Sequence, residues 1–372
     1  MGTKDVMLEL VRAAIFNQEP EVPESVDVDW DELMTLAHSE GVLAIVWDGL
    51  CKLPLTQKPS RLYLINWGLS AQEVKDRYAF QKSVLLDMVS ICDSKGLKFL
   101  LLKGIGLSLV YPNPSSRESG DIDFYLFGNY KEGNLIFAPT KFSESAKHSS
   151  FVYKGVNVEN HSVIINQNCK LNRKIEGYLE EMALQAEKRP EGYYVLPPFA
   201  NIIYLMIHSI HHLCMEYKIP LRNLLDIVVV LRRYENEIHG SEWKGLLERL
   251  EMKNHYELII YLSEWLLGVN MSDFHLFPFE EKEKNCAYET LVTSPEKNII
   301  QKKLSYFVQL RKYLARRKRM NWLLKYEPVP FYDRLYHIIW IQTYIIAKKI
   351  LRLPEGESFN ESFRKKYCFY SR

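Results

Sequence analysis

Leu97-Lys-Phe-Leu-Leu-Leu-Lys103-Gly104 and, seventeen residues after that glycine, Asp121-Ile-Asp-Phe-Tyr-Leu-Phe127 are the two stretches on which the fold turns. The first is a short apolar run halted by glycine, which predicts a buried strand feeding a turn. The second alternates. It predicts a strand with Asp121 and Asp123 on one face and with Ile122 and Phe124 turned to the core. Between them Ile105 to Tyr111 reads as a short helix, and Tyr111-Pro-Asn-Pro-Ser-Ser-Arg-Glu-Ser-Gly120 is dense in turn residues. After a polar stretch to about residue 150, Phe151 to Ile165 reads as a hairpin with Lys154-Gly155 at its tip.

Helical spacing surrounds this centre. Leu33, Leu36 and Ala37, then Leu43, Val46, Trp47 and Leu50, then Leu85, Met88, Val89 and Cys92 recur at three and four positions. Beyond Pro197-Pro198 the segments 200–217, 221–237, 243–250 and 256–267 repeat that spacing with no further strand. The fold class is therefore α+β in the middle, with helices before and after. The natural divisions are 1–95, a helical region; 96–195, the α/β core; and 196–372, a helical domain.

Composition narrows the function classes. The chain has 372 residues, 47% hydrophobic and 25% charged, enough for a sizeable buried core and incompatible with wholesale disorder. Lys and Arg number 48 against 46 Asp and Glu, so no global field points to a nucleic-acid partner. Six scattered cysteines without a C-x-x-C suit a reducing cytoplasm rather than a zinc ribbon or a secreted scaffold. The N-terminus reads as a helix, not a secretory signal. The apolar segment 336–347 carries His337, Gln342 and Thr343 and is too short to span a bilayer. Rossmann, P-loop and G-x-S-x-G signatures are absent from the sequence.

Asp121 and Asp123 are the candidate chemistry. Two carboxylates on one face repel, which is tolerable on a solvated edge and favourable if hard divalent cations such as Mg²⁺ or Mn²⁺ lie between them. Glu159 and His161 offer further ligands from the later strand. The bland reading is a D-x-D pair on an ordinary strand.

The order of these parts resembles the nucleotidyltransferase superfamily that includes DNA polymerase beta. More narrowly, Leu102-Lys-Gly-Ile-Gly, Tyr111-Pro-Asn-Pro, Arg117-Glu-Ser-Gly-Asp-Ile-Asp123 and Val158-Glu-Asn-His161 look like a bacterial family of uncharacterised nucleotidyltransferases with long helical flanks. The resemblance implies a small mixed-sheet core in which Asp121, Asp123 and Glu159 hold Mg²⁺ or Mn²⁺ and carry the catalysis. It implies transfer of NMP from an NTP with loss of pyrophosphate. Lys103, Gly104, Arg117, Gly120 and His161 would then contact the nucleotide. On the residues alone, Lys103 could equally lie in solvent and Arg117 could pair with Glu118. The family's usual Gly-Ser or Gly-Gly turn is Gly104-Ile105 here, with Ser108 a turn later. An inactive nucleotide- or partner-binding scaffold of the same fold is the alternative.

His208, His211 and His212 share a helix face at i, i+3 and i+4, without the glutamate of H-E-x-x-H. Packing, or contact between His208 or His212 and the cleft, is preferred to zinc. Arg222 and Asp226 are spaced for an intrahelical ion pair. The stretch 299–326 has no acidic residue. Its basic and aromatic side chains read as a solvated face, with weak anionic contact through Arg311, Arg316, Arg317 and Arg319 as the alternative. The acceptor is expected to be a small molecule or a protein rather than RNA.

Overall fold

In the computed structural model, the described residues are 1–167, 169–216, 218–292, 322, 323, 325 and 326. The basic residues Arg311, Arg316, Arg317 and Arg319 and the apolar segment 336–347 lie outside them. No described helix is long and apolar enough to cross a membrane.

The described chain opens with four helices, α1 (Thr3–Ile15), α2 (Trp30–Ser39), α3 (Leu43–Leu50) and α4 (Arg61–Ser94). Asp29 starts α2 by accepting a hydrogen bond from the Glu32 amide at 2.9 Å, so one otherwise orphaned N–H is satisfied. The mixed part follows: β1 (Leu100–Leu101), α5 (Ile105–Ser108), β2 (Asp121–Tyr125), α6 (Tyr130–Phe137), β3 (Ser143–Glu144), β4 (His148–Tyr153), β5 (Val156–His161), α7 (Lys170–Ala183), β6 (Glu187–Lys188) and β7 (Tyr194–Val195). Six helices complete the described chain: α8 (Pro198–Glu216), α9 (Leu221–Arg233), α10 (Glu235–Ile238), α11 (Ser241–Arg249), α12 (Lys253–Leu267) and α13 (Glu281–Val292).

The strands form one sheet in the order β3-β4-β5-β2-β1-β7-β6. β2 lies inside it, antiparallel to β1 and parallel to β5, so the two aspartates stand on a central strand. Of the two settings in which such a pair is tolerable, a solvated edge is therefore not the one found. Both edges of β2 are paired, and Ile122 and Phe124 find their covered face against α4 and α6. The hairpin joining β4 to β5 turns at Lys154 (φ 47°) and Gly155 (φ 82°), two consecutive left-handed residues whose twist matches that of the flanking strands.

The sheet separates two cores. On one side Ile122 and Phe124 meet Val84, Leu85, Met88 and Val89 from the C-terminal half of α4, together with Phe137 of α6. Phe99 stacks on Phe124 at 4.7 Å, and Phe137 meets Phe124 edge-on at 5.8 Å. Burying each such ring contributes about 1.5–3 kcal/mol. On the other side Leu100, Leu102 and Tyr125 join a larger core with α1, α3, α7, α8, α9 and α12, to which Trp67 and Ala71 from the N-terminal half of α4 also belong. The face bearing Asp121 and Asp123 therefore looks toward the helices that follow the sheet.

Candidate active site

Strand pairing brings the acidic residues together. Asp123 is the register partner of Glu159, and Tyr125 that of His161, so the side chains of Asp121, Asp123, Glu159 and His161 share one face. Ligand oxygens of Asp121, Asp123 and Glu159 lie within 4.8 Å of one another. Asp123 is fully buried, whereas the side chains of Asp121 and Glu159 keep 31% and 24% of their exposure, which leaves the group an open side. Asp123 Oδ2 has no hydrogen-bond partner. A buried, anionic, unbonded oxygen is costly unless a cation faces it, so these donors fit a hard divalent ion.

Lys103 supplies that counter-charge here. Its Nζ lies 3.2 Å from Asp123 Oδ2 and 3.6 Å from Asp121 Oδ2, with the side chain 17% exposed, so it is not a lysine waving in solvent. The adjoining corner depends on Gly104. Its φ is +68°, and a Cβ there would lie 2.9 Å from Ser119 Oγ and 3.3 Å from the Asp121 carbonyl oxygen. Both the left-handed backbone and the close approach require glycine.

The electrostatics divide the aspartates. Burial, reinforced by the neighbouring Asp123 charge and opposed by Lys103, raises the Asp121 carboxyl to about 6. Burial also pushes Asp123 upward, but Lys103 and the hydrogen bond with His161 outweigh it and hold this carboxyl well below the usual range. Burial lowers the Lys103 ammonium; the attraction of Asp123, Asp121 and Glu159 exceeds it and the net shift is upward.

His161 is fully buried, with Nε2 3.2 Å from Asp123 Oδ1 and 3.6 Å from Glu159 Oε2. It touches the carboxylates rather than lying free for a nucleotide. Arg117 stands elsewhere. Its Nε and Nη2 donate to Oδ1 and Oδ2 of Asp226 at 2.7 and 2.6 Å, and Tyr111 donates to the same Oδ1 at 2.7 Å. Arg117 and Asp226 are 4% and 3% exposed. This corrects two expectations: Arg117 pairs with Asp226 rather than Glu118, and Asp226 does not pair with Arg222. A buried guanidinium whose Nε and Nη2 are held by Asp226 and whose Nη1 donates to the Glu118 carbonyl is also withdrawn from phosphate binding. Ser108 is fully buried and donates to the Ile105 carbonyl at 2.6 Å, so it cannot replace the missing turn serine. Gly120 is exposed, with open space where a Cβ would stand.

Three neighbours escape the sequence reading. His148 on β4 places Nε2 3.4 Å from Glu159 Oε1, and burial lowers its imidazole to about 4 despite that carboxylate. Lys147 is lowered by burial and by Lys103, against the pull of Asp123. Tyr204 on α8 is 1% exposed, with no partner for its hydroxyl. Lys147, Tyr204, His208 and His211 line a small cavity of about 30 Å³. So His208 and His211, not His212, face this space; among the described residues the three form no candidate metal group. The one signal for His148 was the alternation running back from Phe151, hidden because its inward positions are polar.

Residues 26–268 match the model of a family described as uncharacterised nucleotidyltransferase. No curated protein and no solved structure matches the chain.

Proposed function

Since the chain belongs to the uncharacterised nucleotidyltransferase family, we propose that it moves NMP from an NTP to a hydroxyl-bearing acceptor, releasing pyrophosphate, with Asp121, Asp123 and Glu159 as its catalytic carboxylates. The observation that carries this reading is the convergence of those three carboxylates on one sheet face, with a buried Asp123 oxygen lacking a hydrogen bond. Mg²⁺ or Mn²⁺ held by the three would neutralise charge gathering on the attacking and leaving oxygens.

The chain's own groups have separable tasks. Asp123, kept ionised by Lys103 and His161, is the fixed anion of the group. Glu159, with an exposed edge, takes the proton of the acceptor hydroxyl. Lys103 keeps the aspartates together in the metal-free protein and, once displaced from them, is the nearest ammonium for a phosphate oxygen. Gly104 leaves the neighbouring corner without a side chain. The acceptor is a small molecule or a protein, and the setting is cytoplasmic, a reading supported by six cysteines scattered without a C-x-x-C.

One observation favours a second reading, a binding scaffold without turnover: Lys103 stands where a cation would be bound. The test is incubation of the protein with α-labelled NTPs, Mg²⁺ and cell extract. The proposal expects a labelled component and free pyrophosphate, and neither from the Asp121→Asn/Asp123→Asn variant. Calorimetric NTP binding with no labelled product would favour the scaffold.

A further inference from the structure

A second set of donors adjoins the carboxylates, sharing Glu159 with the site just described and adding two imidazoles. His148, Glu159 and His161 each offer one ligand atom, all within 4.8 Å of one another. His148 Nε2 is 3.4 Å from Glu159 Oε1, His161 Nε2 is 3.6 Å from Glu159 Oε2, and the same His161 nitrogen is 3.2 Å from Asp123 Oδ1. A tetrahedral ion with bonds of about 2.0–2.2 Å sets its ligands about 3.4 Å apart. The two histidine–Glu159 spacings are of that size.

The orientation of His161 is the independent sign of a ligand. Its Nδ1 lies 3.3 Å from the Val163 carbonyl oxygen, which can only accept, so Nδ1 carries the hydrogen. Nε2 faces two carboxylate oxygens, Asp123 Oδ1 at 3.2 Å and Glu159 Oε2 at 3.6 Å. His161 and Asp123 are both fully buried. A backbone carbonyl on the far nitrogen is also how ligating histidines are held in their tautomer. The two imidazoles stand 5.3 Å apart at 41°, on paired positions of β4 and β5.

We infer that His148, His161 and Glu159, with Asp123 at the margin, form a site for a borderline divalent transition-metal ion of the Zn²⁺ or Co²⁺ kind, distinct in chemistry from a hard-cation site at Asp121 and Asp123. Imidazole nitrogen selects such ions, whereas Mg²⁺ takes oxygen ligands and keeps its water. The inference depends on the proposed function only in that the two sites share Asp123 and Glu159.

The test uses the untagged full chain, titrated with Co²⁺ in excess Mg²⁺ and followed by visible absorption, with pulsed electron spin resonance reading coupled nitrogen. Wild type is expected to bind Co²⁺ with visible ligand-field bands and nitrogen coupling. His148→Ala is expected to weaken Co²⁺ binding by about tenfold or more, as loss of a ligand costs at least what loss of its support does. His148 is the variant of choice because its side chain is 20% exposed, whereas removing buried His161 could unfold the site. The nitrogen signal on wild type needs no variant at all. Wild type without nitrogen coupling, or His148→Ala that folds and binds Co²⁺ as wild type does, would overturn the site. Mg²⁺-dependent NMP transfer is scored separately, so this site can fail while the carboxylate reading stands.

Discussion

Asp226→Ala separates a buried structural pair from a phosphate-binding arginine. In the native protein Asp226 accepts two bonds from Arg117 and one from Tyr111, all at 2.6–2.7 Å, with both charged partners under 5% exposed. Truncation leaves Arg117 with one remaining contact, from Nη1 to the Glu118 carbonyl oxygen at 3.1 Å. Orphaning a buried charge costs about 3–5 kcal/mol, and the stranded Tyr111 hydroxyl adds about 1 kcal/mol. At roughly 2 °C per kcal/mol for a large chain, the melting temperature should fall by about 8–12 °C. Arg117→Met should destabilise comparably, because it strands Asp226. The double variant Arg117→Met/Asp226→Leu should recover at least about 2 kcal/mol of the summed loss, which is the coupling of the pair. Differential scanning fluorimetry of the three variants, with NTP binding by calorimetry, measures both quantities. If Asp226→Ala melts with wild type while Arg117→Met alone loses NTP affinity, the pair is not structural and the argument from burial fails.

Gly104→Ala should destabilise by about 1–3 kcal/mol through its left-handed φ and the contact with Ser119; a melt identical to wild type would show the corner to be permissive. Mn²⁺ affinity should fall about tenfold for each pH unit below about 6, because Asp121 must be charged to bind metal and its raised value makes the anion scarcer there. Flat affinity between pH 6 and 4.5 would contradict that shift. Lys103→Gln should raise Mn²⁺ affinity in the absence of nucleotide by about tenfold, since an ammonium 3.2–3.6 Å from two ligand oxygens competes with any entering cation. Titration calorimetry showing weaker or equal affinity would remove Lys103 from that role.

The elements written in local pattern were legible in the sequence. The alternation of Asp121–Phe127 announced β2, and Lys154-Gly155 announced the β4–β5 turn. What escaped was fixed by contacts distant in sequence or by polar burial. Helix α6 is eight residues long and buries Asn134, whose amide donates to Ser149 at 2.9 Å and whose carbonyl accepts from Asn160 at 2.8 Å. Such a helix has no apolar stripe to read. His148 and Lys147 were passed over because the inward face of β4 is polar where it meets the carboxylates. Arg117 and Asp226 are 109 residues apart, and no spacing rule could join them. Nor could sequence separate half-buried Asp121 from fully buried Asp123, since the pleat is the same for both and only the covering layer differs.

The most direct measurement is Mn²⁺ titration followed by electron spin resonance, with and without NTP, in wild type and in Asp123→Asn. If Asp121, Asp123 and Glu159 form the cation site, wild type takes up Mn²⁺, more tightly with NTP, and Asp123→Asn loses that uptake in both conditions while remaining folded. Equal Mn²⁺ binding by the two proteins would contradict it.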